Sequence, residues 1–418
     1  MLQLPEIQAL TTLSPDGRLL FATRMVRLFA YGFLAVVLGL YLAAIGLSDT
    51  QIGLVLSLTL LGDAVISLPI TIIADRLGRR RMLIIGAGLM VFAGIIFALT
   101  HDITLLTITA IIGTISPSGN EVGPFLAIEQ AILPQTTTDK QRTQVFAWYS
   151  LLGSVTTGFG SLVGGVLAVA LQTGGRTPLE SYQIVIVGYA LLGGLLGLMF
   201  LGLSPAVEIA PNLNVPKTLK SLFGLNRSRG IVYRLSLLFM LDAFAGGLVV
   251  QSLVALWFSR RFGVDVAVIG SIYLGANVLA GFSALAAARV AARYGLINTM
   301  VFTHVPSNIF LILVPLMPTL PLAILVLLAR FSISQMDVPT RQSYTVSVVD
   351  ADERSAANGV TSIARTTASA VSPLVTGAFF SAGALGLSIP FFLAGGLKLV
   401  YDFLLYRSFI TVKPPEEQ

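Results

Sequence analysis

The sequence predicts an all-α polytopic membrane protein, with twelve transmembrane helices arranged as two pseudo-symmetric six-helix bundles. Three observations carry this expectation. Of 418 residues, 55% are hydrophobic and only 11% charged, whereas soluble domains carry about 25% charged residues. Apolar runs near 20 residues or longer recur along the whole chain, each able to cross a hydrocarbon core of about 30 Å. A β-barrel would alternate in segments of about ten residues instead. Finally, the second half of the chain repeats the first.

In chain order the spans of the first half fall at about 18–46, 51–74, 82–100, 103–133, 144–172 and 182–203. Those of the second half fall at about 231–259, 266–292, 298–317, 320–349, 355–383 and 386–409. The long polar connection between them contains Pro205, Pro211, Pro216, Lys217, Lys220, Arg227 and Arg229. Such a stretch is a linker. The expected organisation is therefore an N-terminal bundle over 1–203, a linker over 204–230 and a C-terminal bundle over 231–418. A shift of 217 residues lays IGLSDTQIG (45–53) over FGVDVAVIG (262–270) and ADRLG (74–78) over AARYG (291–295). A shift of 212 brings Arg142 onto Arg354 and Gly165 onto Gly377. Six plus six helices with internal repetition is the organisation of many secondary transporters.

The formal net charge of +6 and the pI near 9.6 do not point to nucleic acid, because the basic residues cluster in particular loops. With the linker inside, DRLGRRR (75–81), TDKQR (138–142), ARYG (292–295), DADER (350–354) and Lys413 are also inside. The outside loops then hold Arg176, Arg260 and Arg261. This asymmetry places both termini in the cytoplasm, and the expected location is the cell membrane. The first residues, MLQLPEIQALTTLSPDG, lack a basic segment followed by an apolar one, so no cleavable signal peptide is expected. Cysteine is absent, which excludes disulfides and thiolate metal sites. His101 and His304 both fall near predicted helix ends, and no histidine-rich metal site is expected. No Walker motif, HExxH, GxSxG or nucleophile–base pair occurs, so neither ATP-driven transport nor catalysis has support. The expectation is a non-enzyme without cofactors.

At ADRLGRRR the chain resembles the major facilitator superfamily, whose signature between its second and third helices reads Gly-x-x-x-Asp-Arg-x-Gly-Arg-Arg. Here Thr71 replaces the leading glycine, and Asp75, Arg76, Gly78, Arg79 and Arg80 match. AARYG is the degenerate second copy. The resemblance implies the family's fold and a conformational latch in this loop, with Asp75 docking at a helix end, where it meets an arginine or a helix N-terminus. The arginines also fix topology. Gly78 permits a tight turn. Arg142, Arg354 and Glu129 are further candidates for gating. In the fifth span, GSLVGG (160–165) partly resembles the Gly-Pro-x-x-Gly-Gly motif of proton-driven exporters, with Ser161 in place of proline. SPLVTG (372–377) occupies the matching place in span eleven. Small-residue helix packing accounts for both motifs nearly as well. The arginine that drug exporters often carry in the fourth helix is not evident here.

Charges inside the spans mark candidate sites, since unpaired ionisable groups in a bilayer are costly. SPSGNEVGPFLAIEQ (116–130) places Glu121 and Glu129 among Pro117, Gly119, Gly123 and Pro124. Backbone freed by such breakers is tolerated where it faces protein or water. On a continuous helix the two glutamates share a broad face, about 80° apart. Glu121 is the leading candidate for the proton or substrate site. In span ten, Arg330, Ser334, Asp337 and Arg341 fall within about 60° on a helical projection. Asp337 and Arg341 can pair, which leaves Arg330 unpaired. Arg365 in span eleven also lacks an obvious partner. Lys398 and Asp402 form an i,i+4 pair that can neutralise itself. Arg24 and Arg27 either snorkel or face a cavity. Asp63 and Asp242 carry protons or pair across helix interfaces. Phe146, Trp148 and Tyr149 either stack on a substrate ring or form part of an interfacial aromatic belt.

The first functional reading is a monomeric secondary transporter of a small organic solute, working by alternating access in the lipid bilayer, with proton-coupled efflux. Uptake or exchange of an organic anion is the alternative, drawn from Arg330 and Arg365. A non-transporting membrane sensor is the rival from another class.

Overall fold

A computed structural model of the chain describes residues 13–136, 142–208, 227–350 and 353–412, without the side chains of residues 72, 75, 76, 135, 142, 143 and 355. Among the described residues the regular structure is helical throughout. The helices of the first half are α1 (Pro15–Ala44), α2 (Asp49–Leu77), α3 (Arg79–Leu99), α4 (Ile103–Ile112), α5 (Phe125–Ile132), α6 (Arg142–Thr173) and α7 (Pro178–Leu201). Those of the second are α8 (Arg229–Gly247), α9 (Gln251–Phe262), α10 (Val266–Tyr294), α11 (Leu296–Leu313), α12 (Leu320–Phe331), α13 (Asp337–Ser347), α14 (Arg354–Phe380) and α15 (Ile389–Phe409).

Local chemistry sets the helix ends. Ser14 caps α1 by accepting from the Gly17 N–H at 3.2 Å, with proline next to it. Thr177 and Glu180 form a reciprocal capping box ahead of α7, which satisfies two otherwise orphaned donors. The α2–α3 turn is made at Gly78, whose φ of 105° is disfavoured for side-chain-bearing residues. The Glu208 carboxylate then accepts the N–H groups of Arg79 and Arg80 at 2.6 and 3.1 Å. An anion there complements the positive end of α3. In the second half, Glu353 accepts from the N–H groups of Arg227 and Ser228, at 3.0 and 2.9 Å, just ahead of α8.

Among the described residues, nine helical stretches are long and apolar enough to cross a membrane, one of them α8 and α9 taken together. The remaining three predicted spans are exceptions of a telling kind. Span four is split into α4 and α5 by the irregular segment 113–124. Span ten is split into α12 and α13 at 332–336. Span eleven, α14, is continuous over 27 residues but rich in Ser, Thr and Arg. The two interruptions overlap under the 217-residue repeat.

The described residues group into two compact units: 13–47, 58–208 and 263–274 in one; 48–57, 227–262 and 275–412 in the other. In the first, α1 packs against α6 and α7, and α3 against α7. The contact with α6 is backbone-close. A Cβ added to Gly160 would sit 2.0 Å from the Phe29 carbonyl oxygen, so only glycine fits. Ser161 donates to the Gly32 carbonyl at 3.1 Å. In the second unit, α8 packs on α14 and α11 on α15. Ser372 and Thr376 donate across the α8–α14 seam to Phe244 and Leu248, at 2.6 and 2.8 Å. Phe239, Met300, Tyr344, Tyr401 and Phe409 fill the core beside them. Leu191, Leu198, Phe302 and Phe403 are exposed, as befits side chains that meet lipid rather than water.

Candidate functional site

Each unit carries a buried ionic cluster. In the first, the irregular segment 113–124 and α5 present two carboxylates to α1. Arg24 donates to Glu121 at 2.5 Å. Arg27 reaches Glu121 at 3.1 and 3.2 Å and grips Glu129 with both terminal nitrogens, each at 2.6 Å. Tyr149 from α6 donates to Glu129, and its carbonyl accepts from Arg24 Nε at 2.9 Å. The Arg24 guanidinium also lies 4.2 Å from the Tyr149 ring centroid. Arg27 and Glu129 are wholly buried, whereas the Glu121 side chain keeps 15% exposure at the cluster's open edge. Two guanidinium groups thus match two carboxylates. Asp63 on α2 stands apart, accepting from the Gly123 N–H at 2.5 Å and from Ser67 at 2.9 Å. It ties α2 to the break in span four.

The second cluster centres on Asp242 of α8. Its Oδ1 accepts from Lys398 of α15 at 2.5 Å. Its Oδ2 accepts from Arg341 of α13 at 3.2 Å and from Arg365 of α14 at 3.4 Å. Arg341 also pairs with Asp337 at 2.8 Å. Arg330, at the end of α12, feels the charges of Asp242 and Asp337, yet its buried Nε has no hydrogen-bond partner among the described residues. Behind Asp242, His304 of α11 meets Asp402 of α15 at 2.8 Å, and Asn308 donates to the other Asp402 oxygen at 2.8 Å. Four permanent cations here face three carboxylates.

Several sequence expectations change. Glu121 lies on no helix, so the projection that placed it on one face with Glu129 fails. Arg27 brings the two carboxylates together instead. Span ten is broken between Arg330 and Asp337, so their common helical face also fails, although the Asp337–Arg341 pair forms. Arg365 is not unpaired: it reaches Asp242. Lys398 and Asp402 do not neutralise each other, because Lys398 turns to Asp242 and Asp402 to His304. His304 sits in mid-helix, not at an end. Arg24 and Arg27 do not snorkel; carboxylates hold both. Among the gating candidates, Arg79 is buried, with its guanidinium 3.4 Å from the Val207 carbonyl, and Arg354 is exposed at the start of α14. The side chains of Asp75, Arg76 and Arg142 lie outside the described residues. Sequence reasoning missed His304 and Asn308. The signal was available: His304, Ser307 and Asn308 stand at i, i+3 and i+4 in an apolar helix, a polar stripe that needs a partner.

Twelve spans, internal repetition and charged clusters within the spans define a multi-pass membrane protein of the secondary-transporter class. The chain belongs to the Major Facilitator Superfamily, whose family model matches residues 20–372. It is 30% identical to the uncharacterized membrane protein YJR124C of Saccharomyces cerevisiae, over 96% of this chain and 95% of that protein. Its fold is similar to that of the nucleoside transporter NupG (TM-score 0.72, 15% identity, 95% of this chain and 99% of that one). It is also similar to a bacterial homologue of the human lysosomal transporter Spinster (TM-score 0.71, 17% identity, 95% and 98% coverage). As a member of this family the protein is a transporter of a small solute.

Proposed function

We propose that the protein is a secondary active transporter of a small organic anion, moved together with protons by alternating access. One observation carries this reading: the Asp242 cluster holds more cations than carboxylates, and Arg330 has an unsatisfied donor within it. A buried guanidinium with an open N–H is costly, and a substrate carboxylate or phosphate would satisfy it. Arg365, whose side chain is 32% exposed, is the accessible second donor. The rival reading of proton-coupled efflux rests on the GSLVGG motif, and packing against α1 accounts for Gly160 and Ser161 without any role in export. Loop charge favours cytoplasmic termini.

Arg330→Gln and Arg365→Gln are each expected to lower anion uptake into proteoliposomes by more than about tenfold, the scale of one lost charge-assisted contact. Lysine at either site should restore little, because it lacks the forked donor geometry. Retention of full uptake by both glutamine variants would remove these arginines from the substrate site.

A further inference from the structure

We propose that the His304–Asp402 pair is the proton-binding site of this transporter, and that a proton there strengthens anion binding at the arginines around Asp242. The proposal rests on the anion-transporter reading and adds to it the residues that carry the coupling.

The argument begins with Asp402. It is fully buried, and its hydrogen-bond partners among the described residues are His304 and Asn308. No permanent cation among the described residues forms an ion pair with it. A buried carboxylate held only by neutral donors is unfavourable, so the pair is stabilised by one additional proton. With that proton it is an imidazolium–carboxylate pair; without it, Asp402 is a buried anion beside a neutral ring. The protonated ring would lie between two carboxylates, because His304 Nε2 is 3.9 Å from Asp242 Oδ1. That is the oxygen Lys398 already holds at 2.5 Å.

The surroundings contain further charges. On α15, Lys398 flanks Asp402, and Tyr401 meets the imidazole edge-on with ring centroids 5.9 Å apart. Asp337, Arg341 and Tyr344 stand on α13, Arg330 on α12 and Arg365 on α14. None of these five hydrogen-bonds to the imidazole among the described residues. Of these, Arg341 and Arg365 bind Asp242 directly, and so are linked through it to the imidazole.

A proton on Nε2 therefore acts in two ways. It adds a positive charge to a cluster already richer in cations. It also gives Asp242 another cation to balance, loosening its hold on Arg341 and Arg365 through Oδ2. Both effects make the arginines better partners for an incoming anion. Proton and anion bind cooperatively, which is the requirement for moving them in the same direction. A coupling of about tenfold lies within the usual range for linked sites.

The first test needs no substrate. His101 and His304 are the two histidines, and His101 lies at the surface beside Gln183. In full-length His101→Gln protein labelled with 15N-histidine, the remaining imidazole signal reports proton binding at His304 as the pH is varied. Asp402→Asn should change that pH dependence, because it removes the carboxylate paired with the ring. An imidazole whose protonation is invariant with pH would overturn the proposal.

The second test uses proteoliposomes containing a pH-sensitive dye, presented with benzoate, succinate and inorganic phosphate. Wild-type protein should acidify the lumen when a transported anion is added. His304→Gln should reduce this proton movement at least about tenfold, while exchange of labelled for unlabelled anion, measured at saturating anion, falls less than about threefold. If His304→Gln protein moves protons like wild type, the proton assignment fails and the anion reading stands. If His304 titrates but no anion of the panel moves, the anion reading fails and the proton site stands.

Discussion

Replacing Arg27 by leucine is expected to destabilise the first unit by about 3–5 kcal/mol, the usual consequence of stranding a buried charge. Arg27 is wholly buried and binds Glu129 through two contacts of 2.6 Å. With the guanidinium gone, the buried Glu129 keeps the Tyr149 hydroxyl as a hydrogen-bond donor. Glu121 loses one of its two arginines. The apparent melting temperature in detergent should fall on the order of 10 °C. The double variant Arg27→Leu with Glu129→Leu should recover most of that loss, since removing both members of a buried pair is often neutral. A single variant that melts within about 2 °C of wild type would show that the pair contributes no stability.

Asp242→Asn is expected to separate substrate binding from turnover. Asp242 behaves as an internal anion, accepting from Lys398, Arg341 and Arg365 at once. An incoming anion must compete with it for the two arginines. Asparagine keeps the shape but removes the charge, so Arg365 is released to substrate and Arg341 is shared with Asp337 alone. Anion affinity should rise about tenfold, and turnover should fall by more than tenfold, because the cluster can no longer close on itself after release. The variant should also be less stable without ligand, by about 3–5 kcal/mol, and regain stability when anion is added. Weaker anion binding by stably folded Asp242→Asn protein would contradict this role.

Much of the architecture is legible in the sequence because hydropathy and loop charge act locally. The positions of the twelve spans, the repeat and the Gly78 turn all follow from residues near one another. The break in span ten, over SISQM (332–336), has no glycine or proline to announce it, whereas that in span four is legible as composition, through Pro117, Gly119, Gly123 and Pro124. Their consequence is not, because a helical projection presumes the regularity that these residues abolish. Partner choice is also hidden. Arg24 and Glu121 are 97 residues apart, and Asp242 and Lys398 are 156 apart. Nothing local announces such pairs. Lys398 and Asp402 show the resulting error: their i,i+4 spacing permits a pair, but buried partners on α8 and α11 compete more strongly. His304 escaped notice because its partners, Asp402 and Asp242, lie on helices distant in sequence.

The central claim, that this chain carries small organic anions, is tested most directly by a matched pair of solutes. Purified full-length protein in liposomes, under an inward proton gradient, is offered labelled succinate and labelled succinamide, with protein-free liposomes as the blank. The account predicts uptake of an acid at least about tenfold faster than its amide, dependence on the gradient, and loss of that preference in Arg330→Gln protein. Equal uptake of acid and amide, or faster uptake of the amide, would contradict it.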